Sequence, residues 1–309
     1  MKKVNLSVWR SMKIGRSLFK NPVMVSSGTF GYAEEFSSFI DLKKLGAIVT
    51  KTITLRPRLG NLPPRTCEAP AGMLNSIGLE NPGLEVFLSD KLPKLSKYGV
   101  PIIVSISSED DPKEFIELTR YLDKVKEVAA IELNISCPNL GKKALISQEA
   151  KATYSVVKEV RKSTKKTLIT KLSPNVTSIT DIASAAEEAG SDAVALINTI
   201  TGMSIDVASR KPKLAMITGG LSGPAIRPIA VRMAWEVYQK IKIPIIGMGG
   251  ITDTASALEF IIAGASAVSV GTANFVNPRA TVEILSGIEV YLKRNKINSI
   301  KDLTGSLRC

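Results

Sequence analysis

The chain of 309 residues contains no histidine. That excludes every His-based catalytic triad and every His-ligated metal centre, so any proton transfer must use Cys, Lys, Tyr or a carboxylate. Cysteine is scarce as well. Cys67, Cys137 and Cys309 are odd in number and widely spaced, which fits neither a disulfide framework nor a zinc pattern. A reducing cytoplasm is the expected compartment. No stretch reaches the roughly 18 apolar residues that a membrane span needs. The opening MKKVNLSVWRSMKIGRSLF is basic but has no continuous apolar core, so no signal peptide is expected.

Acidic residues are outnumbered: 41 Lys and Arg against 28 Asp and Glu give a formal net charge of +13. Most of the lysines scatter over expected helices and read as a solvated face. One cluster stands apart, residues 1–20, which hold six basic residues and no acid. It keeps nucleic-acid binding open as a lesser reading.

Hydrophobic residues make up 44% of the chain, ordinary for a globular protein. Eight short apolar runs recur, mostly with helical patterns between them: PVMVSS (22–27), AIVTK (47–51), PIIVSI (101–106), AIELNI (130–135), TLITKL (167–172), AVALIN (193–198), PIIGMG (244–249) and AVSVGT (267–272). Continuous rather than alternating apolar character suits strands buried on both faces, as in a parallel sheet. The stripes Phe115, Leu118, Leu122, Val125 and Ile226, Ala230, Met233, Val237 have helical spacing. Asp253 ahead of TASALEFIIA, with Gly264 after it, marks a capped helix. Eight strand–helix alternations predict a (β/α)8 barrel, one domain spanning 1–309. The connections 52–82 and 199–223 are too long for simple turns, and long loops in such a domain are usually functional.

The last residues of the runs include Ser27, Lys51, Ser105, Asn134, Lys171, Asn198, Gly249–Gly250 and Gly271–Thr272. Chemistry in such barrels sits at the C-terminal ends of the strands, and a purely structural barrel has no reason to gather two lysines and two asparagines there. GMGGI and VGTA let the backbone approach an anion closely, so a phosphate is expected at the ends of runs seven and eight. Lys51 and Lys171 admit two chemistries, a Schiff base or a fixed charge beside an electron-rich ring. Two lysines on different strands suit the second better than the first, which needs only one. Cys137 follows Asn134 by three residues, and Pro138 stops the strand there. A lone cysteine is usually a buried small hydrophobe, but a thiolate near two lysines is also a candidate base.

These residues stand in motifs that resemble the class 1 dihydroorotate dehydrogenases almost from end to end: SSGTF (26–30), KTIT (51–54), GMLNSIGLENPG (72–83), ELNISCPN (132–139), INT (197–199), TGGLSGPAIRP (218–228), GMGGI (247–251) and VGTA (270–273). The resemblance implies a bound FMN, contacted by Ser27, Lys51, Thr52, Asn134, Lys171, Ile197, Gly223, Gly249, Gly250, Gly271 and Thr272. It implies a pyrimidine held by Lys51, Asn75, Ser76, Ile77, Gly78, Leu79, Asn134, Asn198 and Thr199. Cys137 matches the catalytic base that takes a proton from dihydroorotate while a hydride passes to the flavin, giving orotate. Ser105 stands where many relatives place an asparagine against the flavin, so that contact is a departure from the pattern.

The stretch NTITGMSIDVASRKPKLAMITGGLSG (198–223) resembles the class 1B subtype. That subtype passes electrons to a partner subunit with FAD and a 2Fe–2S cluster, and then to NAD, from a homodimer at the core of a heterotetramer. This chain has no cysteine cluster for iron–sulfur binding, so such a cluster is expected on the partner. The rival readings are a fumarate-linked class 1A enzyme, a dihydropyrimidine dehydrogenase and a tRNA dihydrouridine synthase. The last should carry an extra RNA-binding domain, for which too little chain follows the last expected barrel helix. A catalytically silent scaffold barrel is disfavoured by the filled set of strand-end positions.

Overall fold

A computed structural model describes residues 11–108, 111–135 and 146–308. Each of the eight apolar runs forms a strand: β1 (Val23–Val25), β2 (Ala47–Val49), β3 (Ile102–Ile106), β4 (Val128–Asn134), β5 (Thr167–Lys171), β6 (Ala193–Leu196), β7 (Ile245–Met248) and β8 (Ala267–Val270). They pair in parallel, each with its chain neighbour, and β8 pairs with β1 to close the barrel. The fold is a (β/α)8 barrel, as the strand–helix alternation predicts.

Continuous apolar sequence has its cause in double burial. Alternate residues turn inward, among them Met24, Val49, Ile103, Ala130, Ile169, Ala195 and Met248, and form the barrel's own core. Their neighbours Val25, Ile48, Val104, Ile131 and Leu168 turn outward under the helices. The helices seat as their stripes require. Lys113–Asp123 buries Phe115, Leu118 and Leu122, and Arg227–Tyr238 buries Ala230, Met233 and Val237. Thr254–Ala263 begins with a capping box: Asp253 accepts from Ser256 N at 2.8 Å, and Ser256 Oγ accepts from Asp253 N at 3.0 Å. Among the described residues no helix is long and apolar enough to cross a membrane.

Two features were not legible in the runs. The first is a hairpin, Met12–Ile14 with Ser17–Phe19, inside the basic N-terminal cluster. Met12, Ile14 and Phe19 join the barrel core, and Ser17 Oγ donates to Ala129 O at 2.6 Å. The hairpin therefore plugs the N-terminal end of the barrel. The second corrects the view of 52–82 and 199–223 as loops. Thr66–Ala69 and Gly72–Asn75 from one, and Ile200–Met203 and Thr218–Ser222 from the other, form one four-stranded antiparallel sheet. Glycine, which reads in sequence as a loop marker, is here a packing requirement. A Cβ at Gly219 would lie 2.7 Å from Asn75 O, and one at Gly220 would lie 2.0 Å from Thr199 Oγ1.

Candidate active site

The C-terminal ends of the barrel strands and the four-stranded sheet enclose a cavity of about 1170 Å³. A single small-molecule site typically takes roughly 300–1,000 Å³, so the space suits a cofactor with a substrate beside it. Ser27 follows β1, Lys51 and Thr52 follow β2, Asn134 and Lys171 end β4 and β5, and Ile197, Asn198 and Thr199 follow β6. Gly249 and Gly250 follow β7, and Gly271 and Thr272 follow β8. The sheet contributes Asn75 and Gly223, and the chain just beyond it contributes Ile77, Gly78 and Leu79. Strands that must run parallel to close a barrel bring their ends to one face, and this is why residues up to 245 positions apart share one cavity.

Lys171 is 5% exposed, and its Nζ donates to Ser27 Oγ at 3.0 Å. Among the described residues no acidic side chain forms an ion pair with Lys171 or Lys51. The same cavity wall carries Glu68 and Glu80, the latter paired with Arg65. Beside the lysines, with Asn134 the register partner of Lys171, the amides are cross-linked. Asn134 Nδ2 donates to Thr52 Oγ1 at 3.2 Å, Asn198 Nδ2 donates to Asn134 Oδ1 at 3.4 Å, and Asn198 Oδ1 accepts from Thr199 N at 2.9 Å.

The glycines fit a backbone cradle. Gly249 and Gly250 have φ of 123° and 77°, a region that favours glycine. A Cβ at Gly250 would lie 2.7 Å from Arg227 Cβ and 2.8 Å from Gly223 O. Thr272 Oγ1 donates to Ser222 Oγ at 2.8 Å and ties the end of β8 to the sheet. The segment 75–79 is held from behind. Ser76 N donates to Arg65 O at 2.7 Å, Asn61 Nδ2 donates to Ser76 O at 2.8 Å, and Arg65 forms an ion pair with Glu80.

The model of the dihydroorotate dehydrogenase family matches residues 11–292. The chain belongs to that family. A protein of Geotalea uraniireducens is 50% identical over 298 residues, covering 96% of this chain and 97% of its own. One of Geobacter metallireducens is 50% identical over the full length of both chains. One of Caldicellulosiruptor bescii is 51% identical over 289 residues, covering 93% and 95%. Each is named dihydroorotate dehydrogenase B (NAD(+)), catalytic subunit.

Against this family's expected site, three residues stand apart from the rest. Cys137, with its neighbours Ser136 and Asn139, lies outside the described residues. Ser76 and Ser105 are fully buried rather than on the cavity wall. Ser105 lies a layer beneath it, with Oγ 2.9 Å from Thr52 Oγ1 and donating to Glu132 Oε1 at 2.8 Å. Sequence reasoning missed Glu132, Asn175 and Ser222. Asn175 holds the start of the second excursion, donating to Thr199 O at 3.0 Å and accepting from Thr201 N at 2.9 Å. For Glu132 a signal existed: it lies two residues before Asn134 and so shares its inward face.

Proposed function

We propose that this chain oxidises (S)-dihydroorotate to orotate in de novo pyrimidine biosynthesis, as the FMN-binding catalytic subunit of an NAD-linked cytoplasmic enzyme. The observation that carries the reading is the buried, hydrogen-bonded Lys171 facing a cavity roomy enough for two ligands, with the glycine cradle of Gly249 and Gly250 on its rim. Membership of the family and the names of relatives at about half identity supply the reaction and the NAD linkage.

The residues fit FMN. Gly249, Gly250, Gly271 and Thr272 leave room for a monophosphate, and Ser27, Lys51, Thr52, Asn134, Ile197 and Gly223 surround the remaining space. When bound, FMN supplies the acceptor for the hydride that leaves the substrate ring. Lys171, a fixed cation hydrogen-bonded to Ser27, would lie beside the ring and offset negative charge there. Lys51, Asn75, Ile77 to Leu79, Asn134, Asn198 and Thr199 hold the pyrimidine, and Ser76 and Ser105 act from behind the wall. Cys137 takes the proton from the carbon next to the substrate carbonyl, a role that rests on its place in the ELNISCPN motif.

The partner is a subunit with FAD and a 2Fe–2S cluster, docked on a homodimer of this chain. The test is turnover with dihydroorotate. The isolated chain should form orotate with an artificial dye as acceptor but scarcely reduce NAD until the partner subunit is added. No orotate with any acceptor would sink the reading. Rapid NAD reduction by the chain alone would defeat the division of labour, and efficient fumarate reduction would move the chain to class 1A.

A further inference from the structure

Beyond the end of β5 the pairing with the chain after β6 is carried on by a side chain. Leu172 N donates to Ala195 O at 2.8 Å, and Leu172 O accepts from Asn198 N at 3.0 Å. Pro174 has no N–H with which to continue this ladder. Asn175 continues it with its amide: Nδ2 donates to Thr199 O at 3.0 Å, and Oδ1 accepts from Thr201 N at 2.9 Å. Taking the C=O before Ile200 and the N–H after it is the pattern that one residue of a parallel strand makes with its neighbour.

The edge concerned is the outer one of the sheet over the barrel mouth. Ile200–Met203 lies at the end of the strand order and pairs with Thr218–Ser222, Ile200 opposite Leu221 and Thr201 opposite Gly220. Antiparallel pairing draws on alternate residues of a strand, which leaves the Thr199 C=O and the Thr201 N–H to the free edge, where Asn175 meets them. Pairing with Thr218–Ser222 thus fixes this strand within the sheet, and the Asn175 amide fixes it to the barrel. The amide is itself held: Ser173, 1% exposed, accepts from Asn175 N at 3.1 Å and from Nδ2 at 3.2 Å. A carbonyl only accepts and an N–H only donates, so these partners allow the amide one orientation.

We propose that Asn175 is a positioning residue for the substrate: standing in for a strand, it docks the sheet's outer strand on the end of β5 and so sets where Thr199 meets the ligand. The proposal rests on the reading of this cavity as the dihydroorotate site. Thr199 lines the cavity and Asn175 lies behind it. A Cβ at Gly220 would lie 2.0 Å from Thr199 Oγ1, so the hydroxyl sits on the neighbouring strand and moves with the sheet. Asn198 keeps its own bond to Leu172 O, which does not pass through Asn175.

The test uses Asn175→Ala as the purified holoenzyme. Orotate should bind about tenfold more weakly by calorimetry, the scale of one or two neutral hydrogen bonds, with flavin content and melting temperature near wild type. The half-saturating dihydroorotate concentration should rise by about the same factor, while flavin reduction at saturation stays within about threefold, the signature of lost uniform binding. Hydrogen exchange should quicken in residues 199–203 and stay at the wild-type rate in β5 and β6. A merely structural role would lower the melting temperature and flavin content and leave the orotate affinity of the folded protein unchanged. If Asn175→Ala does not fold, Asn175→Asp carries the same measurements, since it keeps the shape and the bond from Thr201 N but loses the donor to Thr199 O.

Unchanged orotate affinity or unchanged exchange in a folded variant, a loss confined to the saturated rate, or failure of both variants to fold overturns the proposal. Failure of the wild type itself to bind orotate overturns the functional reading first, and this inference with it.

Discussion

Lys171 Nζ donates to Ser27 Oγ at 3.0 Å, joining the end of β5 to the residues after β1 across 144 positions of sequence. The hydroxyl holds the ammonium in place without neutralising it. Lys171→Met should therefore keep the fold and lose the charge. Stopped-flow reduction of the bound flavin by dihydroorotate should slow by about 10²–10³-fold, the scale for removing one preorganised stabilising group. A rate within a few-fold of wild type would show that the charge acts elsewhere.

Cys137→Ala should retain flavin and lose about 10²–10⁴-fold in the same rate, the usual contribution of general-base catalysis. Cys137→Ser should be similarly slow near neutral pH. A hydroxyl is a far weaker base than a thiolate, and the chain has no histidine to assist it.

Gly250 and Gly271 make a contrasting pair. At Gly250, φ is 77° and an added Cβ meets Arg227 Cβ at 2.7 Å. Gly250→Ala should lower both stability, by about 1–3 kcal/mol, and the flavin retained on purification. At Gly271 the nearest atom to an added Cβ is Ser26 Oγ at 3.5 Å, ordinary contact. Gly271→Ala should leave the melting temperature unchanged while still lowering flavin content. Equal stability of the two variants would contradict the strain argument.

The barrel was legible because double burial writes continuous apolar runs, and all eight runs became barrel strands. The strand-end rule then gathered residues that line one cavity, Lys51, Asn134, Lys171 and the glycine pairs among them. The sheet over the mouth was not legible. Its strands are short and half-exposed, and Gly219 and Gly220 hide a packing demand behind the appearance of a turn. The hairpin Met12–Phe19 was masked by its basic surroundings, although Phe19 is wholly buried. Ser105, where relatives place an asparagine, lies in a layer beneath the cavity wall, hydrogen-bonded to Glu132 and close to Thr52.

Asp253 gives a prediction in pH. The Ser256 backbone N–H holds its carboxyl below the usual carboxylate range. A depressed folded value means that the stabilisation is present above the unfolded value, about pH 4, and is lost as pH falls through the folded one. Asp253→Ala should cost about 1 kcal/mol near neutral pH, with the difference from wild type shrinking below pH 4. Asp253→Asn keeps a capping oxygen and should lose only a few tenths of that, with a flatter acid limb. Thermal melts from pH 3 to 7 check both.

The most direct measurement is the visible spectrum of the purified chain under anaerobic conditions, before and after dihydroorotate is added. The expected result is a yellow protein whose flavin bands bleach on addition, with FMN released on denaturation and orotate formed in proportion. A well-folded chain that carries no flavin, or whose flavin bands dihydroorotate leaves unchanged, would contradict the account.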